Sequence, residues 1–170
     1  MYNYKTVFYT LGTLQIVLGV FMLIPVIIQL IYSELDSGFI SASIITIVFG
    51  ILFFLSNLDH DRNIDLPQAF ILTALSWLSV AIFGSLPFIF SELSLSFTDA
   101  FFESMSGITT TGSTILTDIN NAPKGILLWR AILQWLGGIG IILMAITLMP
   151  IMNIGGMQLF KISSNDNAEK

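Results

Sequence analysis

Hydrophobic residues in this chain fall into four long runs, and the polar residues gather between the runs. Thr6–Tyr32, Gly38–Leu55 and Pro67–Phe90 contain no Asp, Glu, Lys or Arg, and Gly125–Met149 contains one, Arg130. A helix needs about 20 apolar residues to cross roughly 30 Å of hydrocarbon. The pattern therefore predicts four membrane-spanning helices. The first run follows Lys5 as a secretory signal would, but a signal core is only about 7–15 residues long and ends at a small-residue cleavage site. This run is longer and has no such site.

Composition agrees with the pattern. The chain is 55% hydrophobic and 10% charged, against about 25% charged in an ordinary soluble domain. Cysteine is absent, which excludes disulfides and thiolate metal sites. A net charge of -5 argues against a nucleic-acid partner. The expected fold class is all-α integral membrane, with lipid as its surroundings.

Four spans put both termini on one side. Lys and Arg concentrate in cytoplasmic loops. A cytoplasmic amino terminus places Lys5, Arg62, Lys161 and Lys170 inside, and leaves Lys124 in the long outer segment with Arg130 just within the fourth span. Glu34 and Asp36 then occupy an outer loop without a base. The inner loop Asn57–Leu66 separates an amino-terminal hairpin, residues 1–56, from a second part, residues 67–149, and residues 150–170 form a cytoplasmic tail. The short connection predicts that hairpin and second part pack together.

Between the third and fourth runs, Ser91–Lys124 is too long for a simple turn and has an apolar stretch of its own. Within SFTDAFFESMSG, Ser96 and Asp99 fit a helix start and Gly107 fits a residue just past the end. A helix of about ten residues is roughly 15 Å long, half a bilayer, and runs of that length are often re-entrant. Phe97, Ala100, Phe101, Ser104 and Met105 form the expected packing face. Taken alone, the segment better suits an amphipathic surface helix in an outer loop.

The residues that follow are Thr109-Thr110-Thr111-Gly112-Ser113-Thr114, small, hydroxyl-rich and uncharged. Irregular backbone is tolerated at membrane depth only where protein buries it or water reaches it. Potassium channels meet that condition with TVGYG strands whose carbonyls replace the hydration shell of the ion. Thr110 aligns with the threonine of that pattern and Gly112 with its first glycine. The carbonyls of Thr110, Thr111 and Gly112 are the candidate potassium ligands, and the Thr110 hydroxyl is a further one. Glycine supplies the positive φ that lets successive carbonyls share an axis. The preceding helix turns its negative end toward the strand, and Glu103, if buried behind the filter, adds to that field. By itself TTTGST is also an ordinary Ser/Thr-rich loop.

The run FTDAFFESMSGITTTGST, followed by KGILLWRAILQWLGGIGIILMA and GGMQLF, closely resembles the Trk/Ktr potassium-uptake family, most strongly from Phe97 to Phe160. The resemblance implies four consecutive repeats of span, pore helix, filter strand and span, preceded in many bacterial members by a two-helix hairpin. Thr6–Leu55 corresponds to the hairpin and Pro67–Met149 to the first repeat, so the chain is expected to be an amino-terminal fragment with one repeat of four. It further implies potassium transport across the inner membrane, a cytoplasmic nucleotide-binding regulatory subunit and a homo-oligomer, with no cofactor and no enzymatic step. The remaining repeats, or further copies of the chain, would complete the pore. Thr114 stands where TVGYG has its second glycine, which leaves the outermost ion position less defined.

Other polar residues are expected to serve structure. Arg130 lies about a turn and a half into the fourth span, where a central charge costs roughly 2.5–3.5 kcal/mol, so it should snorkel or pair with Asp118 or Glu103. Gly137, Gly138 and Gly140 suit close helix packing. His60, among Asp59, Asp61 and Arg62, is expected to be a solvated loop residue. Gln15, Gln29 and Gln134 should bond to neighbouring helices. A non-conducting membrane scaffold is the rival reading, and coupling to sodium or protons, as in a symporter, stays open. An enzyme is disfavoured by the lack of histidine clusters or paired acids in the spans.

Overall fold

The computed structural model describes residues 4–34, 36–59, 66–119 and 122–151. Helices account for all regular structure among them: α1 Lys5–Phe21, α2 Leu23–Tyr32, α3 Gly38–Ser56, α4 Leu66–Gly84, α5 Leu86–Phe90, α6 Phe97–Ile108 and α7 Lys124–Ile151. Four stretches are long and apolar enough to cross a membrane: Lys5–Tyr32, Gly38–Ser56, Pro67–Phe90 and Lys124–Ile146. The four runs of the sequence and these four spans coincide closely. His60, Arg62 and the segment 152–170 lie outside the described residues.

Two of the spans are jointed, for the same reason. A proline inside a helix has no N–H to give to the carbonyl four residues earlier, and its ring crowds that carbonyl. Pro25 faces Phe21 in this way, and α1 ends at Phe21. Pro87 faces Phe83, and α4 gives way to α5 across Ser85. The second joint also frees the Gly84 carbonyl, because the Phe88 N–H turns to Ser85 instead, at 3.0 Å. The Trp129 indole N–H fills the vacancy, donating to Gly84 O at 2.9 Å.

The chain divides into two compact units, residues 1–138 and 139–170. In the first, α1 packs against α3 and α4, α3 against α5, and α4 against α6. Its core holds Met22, Phe39, Phe88, Ile126, Trp129 and Leu133, all fully buried, with Phe39 meeting Trp129 edge to face at 6.3 Å. Polar side chains are buried in the same unit: Gln15, Gln29, Ser43, Thr46 and Glu103. Ser43 donates to Gly19 O at 2.7 Å, tying α3 to α1, and Gln15 donates to Ser79, tying α1 to α4. Large apolar side chains such as Ile27, Leu30, Ile44 and Leu52 are exposed. A polar interior beneath an apolar surface suits lipid, where interhelical hydrogen bonds and close packing replace the hydrophobic effect as glue. In the second unit, the described residues continue α7, and Ile141, Ile142, Leu143 and Ile146 are exposed.

Candidate functional site

The site is built around α6. Ser96 caps it, accepting from Asp99 N at 3.2 Å while its hydroxyl donates to Asp99 Oδ2 at 2.7 Å. At 12 residues, α6 runs two residues, about half a turn, further at its carboxyl end than the sequence suggests. Gly107 lies inside the helix and does not end it. A Cβ there would sit 3.0 Å from Leu133 Cβ, so this position meets α7 closely.

Its packing face also differs from expectation. The buried residues are Ala100, Glu103, Ser104, Ser106, Gly107 and Ile108, while Phe97 is 59% exposed and Phe101 and Met105 are only partly buried. Ala100 and Ser104 were correctly placed on the face. Phe97 and Phe101, expected on that face, are not buried, because close helix packing in a membrane protein prefers small residues within. A Cβ on Gly137 would approach the Ile108 carbonyl oxygen to 1.8 Å, so at Gly137 the backbone of α7 lies directly against the end of α6. Gly138 has nothing within 4 Å of its Cβ position among the described residues. The packing role expected of these glycines belongs to Gly137 and not to Gly138.

Helix α6 ends in a Schellman motif. Thr110 N–H donates to Gly107 O at 2.9 Å and Thr111 N–H to Ser106 O at 3.1 Å, the 5→2 and 6→1 bonds of that motif. The left-handed position is filled by Thr110, with φ 59°, and not by glycine. A β-branched residue is uncommon there, and a left-handed conformation costs a residue with a Cβ roughly 1–2 kcal/mol. Gly112 is left-handed as well, at φ 78°, with Thr111 between them on the negative side. Gly112 N–H also turns back to Ser106 O, at 3.3 Å.

Three successive N–H groups thus point into the end of α6. The carbonyl oxygens of Thr110, Thr111 and Gly112 accept no hydrogen bond from the described residues, and all three residues are exposed. The Thr110 hydroxyl is likewise without a partner there, whereas Thr109 and Thr111 share a hydroxyl contact of 2.9 Å. Beyond Gly112 the strand is moored again: Ser106 Oγ donates to Ser113 O at 2.6 Å.

Glu103 moors what comes next. Its Oε1 accepts from Thr114 Oγ1 at 2.5 Å and from Ile115 N at 2.6 Å, and its Oε2 lies 2.8 Å from Arg130 Nε on α7. That last contact is an ion pair by distance without the alignment of a hydrogen bond. Glu103 is 0% exposed and Arg130 15%. Of the two partners considered for Arg130, the structure selects Glu103. The pairing changes the role expected of Glu103, because an adjacent guanidinium offsets most of the field it would send toward the strand. It acts as a strut between α6, the strand exit and α7. The sequence does not single out Ser106 and Thr114 as structural; a serine three residues before the TTTG run is the available signal. Among the described residues no group of three His, Cys, Asp or Glu is placed to hold a metal ion.

Comparison with known proteins adds to this geometry. A family model described as cation transport protein, TrkH, matches residues 35–168. The Trk system potassium uptake protein TrkI of Halomonas elongata is 43% identical over 161 residues, which are 94% of this chain and 33% of the relative. TrkH of Escherichia coli K12, a Trk system potassium uptake protein, is 37% identical over the same shares. The crystal structure of the potassium transporter TrkH from Vibrio parahaemolyticus superposes with a TM-score of 0.86 at 33% identity, covering 91% of this chain and 34% of that one. The chain spans about a third of the length of the curated relatives it matches. With a family model covering most of its residues and a multi-pass helical structure that follows a solved member, this chain belongs to the TrkH family of cation transport proteins.

Proposed function

We propose that the chain provides one span, pore helix, filter and span repeat, with its amino-terminal hairpin, to a potassium-uptake subunit. In this reading α6 is the re-entrant pore helix, and the carbonyls of Thr110, Thr111 and Gly112 form one wall of a filter that replaces the hydration shell of potassium. One observation carries it. The segment gives its N–H groups to the end of α6 and leaves three consecutive exposed carbonyls without protein donors, the arrangement that a dehydrated cation requires. Left-handed conformations at alternate residues, Thr110 and Gly112, allow those carbonyls to share a side. The negative end of α6 favours a cation in front of it.

The relatives named for potassium uptake support the choice of ion. The other walls come from further repeats or further copies, and the termini are cytoplasmic in an inner membrane. Resemblance to the family adds a cytoplasmic nucleotide-binding subunit as partner. No covalent step or cofactor is involved.

Gly112→Ser tests the filter in the full-length protein that carries this chain. The nearest atom to a Cβ at Gly112 is Gln134 Nε2, at 3.6 Å, so space is available and the effect is conformational strain alone. That strain is about 1–3 kcal/mol and bears directly on carbonyl aim. Potassium and sodium uptake, normalised to inserted protein, should show weakened discrimination with normal insertion. Gly138→Ser, at an open position, should leave both unchanged. Parental discrimination in Gly112→Ser would remove the filter reading and leave the segment as a loop or scaffold element.

A further inference from the structure

The loop between α2 and α3 lies outside the repeat, yet two carboxylates in it hold both ends of the segment that carries α6 and the strand. Glu34 Oε2 accepts from Lys124 N at 2.8 Å, across 90 residues of sequence. Asp36 Oδ1 accepts from Gly38 N at 2.9 Å, and its Oδ2 accepts from Glu92 N at 3.1 Å. Glu92 directly follows the carboxyl cap of α5 and leads into α6, while Lys124 opens α7. Everything from the approach to α6 to the exit of the strand lies between those two points.

Local structure shows why these ties come from a distance. The first intrahelical bonds of α7 go to the Pro123 carbonyl, from Ile126 N at 3.0 Å and Leu127 N at 3.1 Å. Pro123 therefore occupies the cap position, and proline has no side-chain acceptor for the orphan N–H groups of the first turn. Glu34 supplies one, and its charge also suits the positive end of the helix. The carboxylate is aimed by its own backbone: α2 ends in a Schellman motif with Ser33 left-handed at φ 57° and Glu34 N donating to Gln29 O at 2.9 Å. Close backbone approach accompanies both ties. A Cβ on Gly125 would lie 2.9 Å from Gln29 Cγ, and one on Gly38 would lie 2.7 Å from the Phe90 carbonyl carbon.

We infer that Glu34 and Asp36 are positioning residues for the filter, and that the amino-terminal hairpin serves the repeat as an external clamp on the two ends of its re-entrant segment. The inference rests on the filter reading above. Releasing the clamp lets the ends of the segment part from the α2–α3 loop, so the carbonyls lose their registration with the rest of the pore while the spans stay inserted.

The test uses the full-length protein with Glu34→Ala and Asp36→Ala combined, and two readouts. Amide hydrogen exchange followed by mass spectrometry over residues 92–95 and 124–127 should quicken about tenfold, the scale expected when charge-assisted hydrogen bonds are lost. Potassium-over-sodium uptake, normalised to inserted protein, should fall by about threefold or more, a change that a purely structural role would not produce. Glu34→Gln keeps an acceptor oxygen and should stay near the parent. Asp36→Asn keeps one of its two oxygens and should show a smaller loss, and it serves in place of the double variant if that fails to insert. Unchanged exchange would overturn the clamp. Faster exchange with parental discrimination would also overturn it, provided Gly112→Ser in the same assay does alter discrimination. If Gly112→Ser does not, the filter assignment falls first and the clamp falls with it.

Discussion

The pair of Glu103 and Arg130 offers a quantitative test of how the strand exit is held. Glu103 is wholly buried with three partners, Thr114 Oγ1, Ile115 N and Arg130 Nε, whereas Arg130 keeps 15% of its side chain exposed. Arg130 lies six residues into α7, about 9 Å along its axis, so its long side chain can reach toward water if its partner is removed. Glu103 has no such route. Removing one partner of a buried pair costs roughly 3–5 kcal/mol when the other is left uncompensated. Arg130→Gln should therefore fall in that range, because the stranded carboxylate stays dry. Glu103→Gln should cost about 2 kcal/mol: the amide oxygen still accepts from Ile115, and the stranded guanidinium relocates. The double variant removes both charges and should be less harmed than the sum of the singles, with a coupling of about 1.5–3 kcal/mol. The assay is unfolding by SDS titration in mixed micelles, on the full-length protein, with parent, both singles and the double measured together. Additive losses, or Glu103→Gln being the worse of the two singles, would refute the strut and the asymmetry of its burial.

Four other outcomes follow from the geometry. Gly137→Ala puts a methyl group 1.8 Å from Ile108 O, so inserted protein should drop sharply on immunoblots, with a loss of about 3 kcal/mol or more, whereas Gly138→Ala should insert normally. Thr110→Gly removes the left-handed strain and should stabilise by about 0.5–1.5 kcal/mol, yet uptake kinetics should show weaker potassium affinity as the hydroxyl is lost. Trp129→Phe leaves the Gly84 carbonyl without its donor and should cost about 1–3 kcal/mol in the same titration. Cysteines placed at Asp59 and Thr117 should label from opposite faces with an impermeant reagent, and same-side labelling would overturn the proposed topology.

What was legible in the sequence was set by hydropathy. The four spans depend on length and apolarity alone, and both survive any error about which face points inward. The orientation of α6 was not legible in that way: Phe97 and Phe101 look like packing residues by size and apolarity, whereas close helix contact selects the smaller Ala100 and Gly107 together with the paired Glu103. Arg130 had two candidate partners, and the pairing with Glu103, the more distant of them in sequence, depends on how α6 and α7 pack. Gly137 and Gly138 differ by one position in sequence but by 100° around a helix, which sets one against Ile108 and leaves the other open. The jointed spans could have been foreseen at Pro25 and Pro87. The carboxylates of the α2–α3 loop could not, since nothing local links Glu34 to Lys124 or Asp36 to Glu92.

The threonine-centred ending of α6 has a consequence for control of flow. Three backbone N–H groups and the Ser106 hydroxyl join the strand to the last turn of the helix. A gate that worked by collapsing this strand would have to break those four bonds, at about 0.5–1.5 kcal/mol each. Taking roughly 3 kcal/mol as the sum, fewer than about one molecule in a hundred would be collapsed at rest. On the proposed filter reading, these bonds would make the segment and the last turn of α6 move together. Opening and closing would then fall to parts of the protein that can shift without unwinding α6, and a stimulus acting here would change how often an ion enters more readily than whether the path exists.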